Sequence, residues 1–251
     1  MDGDLPPYLS VSQITTYLQC PRKYRFRYIE RREPERRAVE LAFGSAVHAS
    51  VAWWVTERVA GREPSPEQLT KLAQVDWSSE LAAGDLKFEK QSAEELGSIA
   101  ERLVGLFAEC FQLETLVGAE VGFEVELWDP LAHRALPVPL KGFLDIETPE
   151  GFIELKTCSR RTSWLNWSLQ LGAYSYAMRE RSGHRPKVRV VELLRTAAAT
   201  LHVEDAPVVE RDEAWFLEVA AEVFASLRRG AFHPSPSYIC PRCEFRRACR
   251  Q

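Results

Sequence analysis

Leu140-Lys-Gly-Phe-Leu-Asp145-Ile-Glu-Thr-Pro-Glu-Gly-Phe-Ile-Glu154-Leu-Lys156-Thr157 is the stretch on which the fold turns. Apolar and polar residues alternate on both sides of Pro149-Glu150-Gly151, which predicts two strands, Val138–Thr148 and Phe152–Thr157, joined by a tight turn. An even loop centred on Pro149-Glu150 places Asp145 directly across from Glu154, with Cβ atoms roughly 4.5–5.5 Å apart. Phe143, Asp145, Glu147, Phe152, Glu154 and Lys156 then share one face. Leu144, Ile146, Ile153 and Leu155 form the other, core-like face. Two carboxylates opposed on one face repel, and a divalent cation between them reverses the sign of that interaction. With Lys156 on the same side, the set suits hydrolysis of a phosphodiester, the metal polarising phosphate and activating water. The alternative is a solvated outer face, and a one-residue bulge would break the pairing.

Outward from the hairpin, the order is helical before it and mixed after it. A helix is expected from Ser10, where Ser10-Val-Ser-Gln13 has capping-box spacing. Others are expected over Leu41–Val59, Glu67–Ala83 and Ala93–Thr115. Val121, Phe123, Val125 and Leu127 alternate as a strand ahead of the hairpin. A helix over Trp164–Arg181, strands Lys187–Leu194 and Thr200–Val203, and a helix over Asp212–Arg228 follow. The expected organisation is one compact unit: a basic N-terminal segment (1–40), a helical region (41–116), a core (117–229) and a cysteine-rich tail (230–251).

The chain has 251 residues, 45% apolar and 27% charged, enough for a real core. Apolar runs are short and broken by charge, so no membrane span is expected. Met1–Pro7 has no basic apolar run, so no signal peptide is expected and the cytoplasm is the default location. A net charge of −4 argues against a protein that coats nucleic acid without specificity, but placement matters as well as sum. Arg22–Arg37 carries eight Lys or Arg against three Glu, and the last ten residues carry four Arg against one Glu.

Single residues elsewhere are weak signals until combined. His48, in Gly44-Ser-Ala-Val-His48, can be a core histidine or a ligand. Gln170 and Tyr174 are four apart and share a helix face. In order, Gly44-xxx-His48, Gly142-xx-Asp145, Glu154-x-Lys156 and Gln170-xxx-Tyr174 resemble the PD-(D/E)xK nuclease superfamily. The nearest pattern is its RecB-like branch, which includes CRISPR-associated RecB-like exonucleases and the nuclease domains of helicase–nuclease repair complexes. Pro64–Thr115 carries no motif of that family, and Glu154 stands where many relatives have Asp.

The resemblance implies a restriction-endonuclease-like α/β core, a mixed central sheet flanked by helices, with the N- and C-terminal segments joined in a four-cysteine cluster domain. It implies that Asp145, Glu154 and the backbone carbonyl of Leu155 hold Mg²⁺ or Mn²⁺, with His48 a further ligand. Lys156 would position the attacking water, and Gln170 and Tyr174 would orient Lys156 or the DNA backbone. The implied substrate is DNA, single-stranded or with free ends. The implied partners are a CRISPR integrase or a helicase, in spacer acquisition or in recombination and repair. A catalytically silent DNA-end or partner-binding module and a structure-specific endonuclease stay open as alternatives.

Six cysteines occur, three of them in the last twelve residues. Cys240-x2-Cys243-x5-Cys249 offers three soft ligands and needs a fourth. Cys20, followed by Pro21 as Cys240 is by Pro241, is the best candidate, and the resemblance implies a [4Fe–4S] cluster on these four, with zinc the rival. Joining them would bring Arg22, Lys23, Arg25 and Arg27 beside Arg242, Arg246 and Arg247 as a DNA-binding surface. Tyr24, Phe26 and Tyr28 either stack on bases or belong to the core. Cys110 is expected as a buried small hydrophobe. Trp53 and Trp54 are expected at the core and rim of a helix, while Trp164 and Trp167 could line a channel.

Overall fold

Five strands make one mixed sheet in a computed structural model of the chain, which describes residues 5–84, 86–88 and 91–250. The opening residues read for a leader, 1–4, lie outside that range. The chain begins with helix α1 (Val11–Gln19), whose first turn is capped where the Ser10 hydroxyl accepts from the Gln13 N–H at 3.2 Å. Helices α2 (Val39–Val59), α3 (Pro66–Ala82) and α4 (Ala93–Cys110) follow. Ser65 with Gln68 and Ser92 with Glu95 close full capping boxes on the latter two. The helix expected over Ala93–Thr115 therefore stops at Cys110.

Strands β1 (Gly118–Val125), β2 (Leu140–Thr148) and β3 (Gly151–Cys158) form an antiparallel meander. Trp164–Trp167 is a 3₁₀ turn leading into α5 (Ser168–Ser182), which carries the chain over to β4 (Lys187–Leu194), parallel to β3. A helical crossover is the usual way to join parallel strands. Strand β5 (Thr200–Ala206) returns antiparallel, and α6 (Glu210–Arg228) closes the core. The sheet order is β1-β2-β3-β4-β5. A small hairpin, Trp128–Asp129 with Arg134–Ala135, fills the connection between β1 and β2; two-residue strands leave no alternation to read.

Alternate residues of the central strands feed two cores. Phe152, Val188 and Val190 pack with α1, α5 and α6, while Ile153, Leu155, Val191 and Leu193 pack with α2, α3 and α4. The result is three layers, helices on both sides of the sheet. The alternation breaks at one place. Ala119 packs on the α2 side but Val121 and Phe123 on the other, and Ile146 and Leu144 divide likewise. Between them sit Glu120, with a positive φ of 49°, and Asp145. A non-glycine residue in that conformation stores strain, and such residues gather at functional sites.

The two ends of the chain pack together. The Tyr17 hydroxyl donates to Ala231 O at 2.7 Å, and Phe26 meets Phe245 at 5.8 Å between ring centroids. Glu35 accepts from the backbone N–H groups of Arg247 and Ala248 at 2.7 and 3.3 Å, capping the short helix Arg246–Arg250. Tyr24 and Phe26 are buried, so they belong to the core and are closed to bases. Cys110 is exposed, not the buried residue expected: it is the last residue of α4, where the helix runs out. Among the described residues no helix is long and apolar enough to cross a membrane.

Candidate active site

The hairpin has the expected register, Ile146 against Ile153, Glu147 against Phe152 and Thr148 against Gly151. The ladder stops there, one pair short of Asp145 and Glu154. In place of a ladder bond, Asp145 Oδ2 accepts the Leu155 N–H at 2.7 Å. The strands part, and the carboxylate bridges the gap. Its other oxygen lies 3.4 Å from His48 Nδ1, presented by α2. Gly44, one turn earlier, lets α2 approach β3, since a Cβ there would stand 3.0 Å from Thr157 Oγ1.

Asp145 faces a second carboxylate, but from the other neighbour. Ala119 pairs with Ile146 and Val121 with Leu144, which sets Glu120 opposite Asp145. Ligand atoms of His48, Glu120 and Asp145 all lie within 4.8 Å of one another. The opposed carboxylates suit Mg²⁺ or Mn²⁺, and an imidazole alongside adds a nitrogen donor of the kind divalent transition metals take. Burial and then Asp145 raise the Glu120 carboxyl above the usual carboxylate range. For Asp145, burial is outweighed by the hydrogen bond and charge of His48, so it sits low; His48 is raised in return, its own burial notwithstanding.

Glu154 belongs to an adjoining triangle. It is 2% exposed, and its Oε1 accepts from Lys156 Nζ at 2.6 Å and Gln170 Nε2 at 2.7 Å. Lys156 Nζ also donates to Gln170 Oε1 at 2.8 Å and lies 4.9 Å above the Trp167 ring. Burial pushes Glu154 up to about 7, against the pull of Lys156. Glu154 Oε2 is buried with no hydrogen-bond partner. An orphaned carboxylate oxygen is costly, and a cation would satisfy it, so the residues present fit a metal. Tyr174, on α5 beside Gln170, packs edge-on against Phe123 at 5.4 Å. Burial raises its hydroxyl pKa. One open cleft of about 1300 Å³ takes in His48, Glu120, Asp145, Leu155, Lys156 and Tyr174.

Glu120 was not evident from sequence, because its partner is fixed only by the register across the 14-residue link between β1 and β2. Glu192 was also missed. It is buried beside Lys156 in the parallel register, and it accepts from the Thr162 N–H at 3.0 Å and from the Thr162 hydroxyl, shaping the loop after β3.

The four cysteines Cys20, Cys240, Cys243 and Cys249 line one cavity of about 370 Å³. The Ser235 N–H points at Cys20 Sγ (3.5 Å) and the Ser237 N–H at Cys240 Sγ (3.3 Å). Among the described residues their sulfurs form no group of three within 4.8 Å. Cys158 stands apart, its thiol pushed up to about 11 by burial and then by Glu192. The basic residues nearby are largely engaged within the protein. Lys23 and Arg27 reach Glu244 at 3.2 and 3.7 Å, Arg25 reaches Glu30 at 2.7 Å, Arg247 reaches Glu35, and Arg246 donates to Pro241 O. The Arg22 N–H donates to His233 O, and Arg242 lines the cysteine cavity.

A splayed hairpin beside a strained edge strand and a helix, together offering carboxylates, a lysine and an imidazole to one cleft, defines a class of phosphodiester-cleaving folds. The chain belongs to the PD-(D/E)XK nuclease superfamily, whose model matches residues 8–250. No match was found among curated proteins. A solved structure from Eubacterium rectale, provisionally described as an exonuclease, shares the fold with a TM-score of 0.64 at 14% identity, over 98% of this chain and 89% of that one. A second, SSO0001, gives a TM-score of 0.42 at 14% identity, over 96% and 84% of the two chains.

Proposed function

We infer that the chain is a divalent-metal-dependent deoxyribonuclease, hydrolysing DNA from single-stranded ends with Mg²⁺ or Mn²⁺ held by His48, Glu120, Asp145 and Glu154. The observation that carries this is the convergence of three ligand atoms within 4.8 Å beside a buried carboxylate oxygen with no partner. When bound, the metal supplies Lewis acidity to phosphate and acidity to water. The chain's own residues do the rest. The Leu155 N–H fixes the Asp145 carboxylate, and the Leu155 carbonyl is the further ligand the family resemblance implies. Gln170 and Glu154 pin the Lys156 ammonium at the cleft, where its charge opposes the charge that builds on phosphate. Tyr174 buttresses Gln170.

End-labelled single-stranded DNA with Mn²⁺ tests this directly. Cleavage by the wild type, and its loss in Asp145→Ala and Lys156→Ala, is expected; equal cleavage by all three would sink the assignment. A silent binding module has no use for the intact set of carboxylates and lysine. Circular single-stranded DNA distinguishes the endonuclease, which cuts it, from the proposed exonuclease, which does not.

The cysteine cavity supports a [4Fe–4S] cluster on Cys20, Cys240, Cys243 and Cys249. Zinc on the same four thiolates is the rival, since both metals accept four Cys. Backbone N–H groups aimed at two of them suit cluster thiolates. A brown anaerobic preparation absorbing near about 400 nm is expected, and a colourless, zinc-loaded one would overturn the cofactor. Recruitment by a CRISPR integrase or a helicase rests on the family resemblance, and co-purification with the product of a neighbouring gene is its test.

A further inference from the structure

Three large apolar side chains are left bare along the catalytic cleft: Phe143, 60% exposed, with Tyr8 and Leu41. Such a patch beside a reacting centre marks something that binds there. Phe143 is the best placed. It precedes Asp145 by two residues on β2, and both side chains line the one cleft.

Its ring is seated by the backbone opposite. Phe143 pairs across the ladder with Gly122, and a Cβ on Gly122 would stand 3.3 Å from the ring. Glycine thus leaves room for one edge of the ring against β1, and the rest of the ring stays open to the cleft, 60% exposed. Lys141, two residues further back on the same strand, lies 5.5 Å over the Tyr8 ring and pairs with Glu124 at 2.8 Å. Along one side of β2 the cleft therefore offers a cation, a ring and a carboxylate in sequence.

A nucleic acid with one phosphate at Asp145 has Phe143 beside it for its next nucleotide. Every base has a π-face, and rings beside a cationic track are how proteins hold unpaired bases without choosing among them. We propose that Phe143, seated on Gly122, stacks an unpaired nucleobase next to the scissile phosphate. Phe143 is then a positioning residue that selects a single strand or a frayed end over a closed duplex. This rests on the nuclease function proposed above.

The test is a cycle between protein and substrate. Single-stranded oligonucleotides are prepared intact or with one abasic nucleotide walked past the bond that gel mapping shows to be cut. Steady-state kinetics in Mn²⁺ compare wild type, Phe143→Ala and Phe143→Trp. Phe143→Ala is expected to raise KM roughly 5- to 100-fold, with the change in KM and not in kcat. Phe143→Trp is expected to restore it. An abasic nucleotide beside the cut costs the wild type a similar factor and costs Phe143→Ala nothing more. A wild-type KM in Phe143→Ala, or the full abasic penalty persisting in it, overturns the stacking role while leaving the nuclease standing. A wild type that cleaves no strand at all overturns the nuclease assignment, and this inference with it.

Discussion

Replacing Lys156 by methionine keeps the aliphatic stem but removes the ammonium 2.6 Å from Glu154 Oε1. The buried carboxylate is left with Gln170 as its donor. Glu154 already titrates at about 7, raised by burial and held down by Lys156; without the lysine it rises further. A folded pKa above the unfolded value of 4.5 means that the native state binds more protons than the unfolded chain. Stability then falls as pH rises between those two values. In the wild type that fall tails off between pH 7 and pH 8, where it still amounts to about 0.4 kcal/mol. In Lys156→Met it continues, at about 1.4 kcal/mol per pH unit. Between pH 7 and pH 8 the variant should therefore lose about 1 kcal/mol more than the wild type, roughly 2–4 °C in Tm for a chain of this size. Calorimetry in EDTA at pH 6, 7 and 8 reads it, with a gap that widens upward from pH 6. Tm curves that stay parallel across this range would refute the claim that Lys156 holds the Glu154 charge.

Glu120→Gln keeps the shape opposite Asp145 but removes one charge from the metal cluster, and Mn²⁺ affinity should drop about tenfold; isothermal titration reads the loss. Mn²⁺ binding to the wild type should tighten with pH, by up to about tenfold per unit for each proton displaced, through the range around pH 7 in which Glu154 gives up its proton. Both His48 and Glu154 are raised and must be unprotonated to bind, and a flat profile would show that neither is a ligand. Glu35→Ala removes the cap on the tail helix, a loss of about 1 kcal/mol. Trypsin should then cut at Arg246 or Arg247 roughly fivefold faster, while cuts elsewhere keep their rate.

The hairpin was legible because its turn and its alternation are local. Ile146 meets Ile153 as the pattern around Pro149-Glu150 requires. The α1 cap at Ser10, the crossover helix and the strand at Lys187–Leu194 were readable for the same reason. What pattern did not show was where the ladder ends: Asp145 turns to the Leu155 N–H and not to a ladder partner. The opposed carboxylates that strand geometry called for do exist, but as Glu120 and Asp145. That pairing depends on a register set across a long connection and on a positive φ at Glu120, neither of which leaves a local trace. Tyr24 and Phe26 show the same limit from the core side, since an alternating basic-aromatic run cannot tell which side chains the C-terminal tail will cover.

Phosphodiester hydrolysis by this chain requires a metal seat between α2 and the parted strands. Crystals soaked in Mn²⁺ and measured at its absorption edge locate the ion without reference to activity. The predicted result is an anomalous peak bounded by His48, Glu120 and Asp145, with Glu154 Oε2 turned toward it, and no such peak in Asp145→Asn. A cleft without anomalous density in a DNA-cleaving preparation, or an ion bound at a different set of side chains, would contradict it.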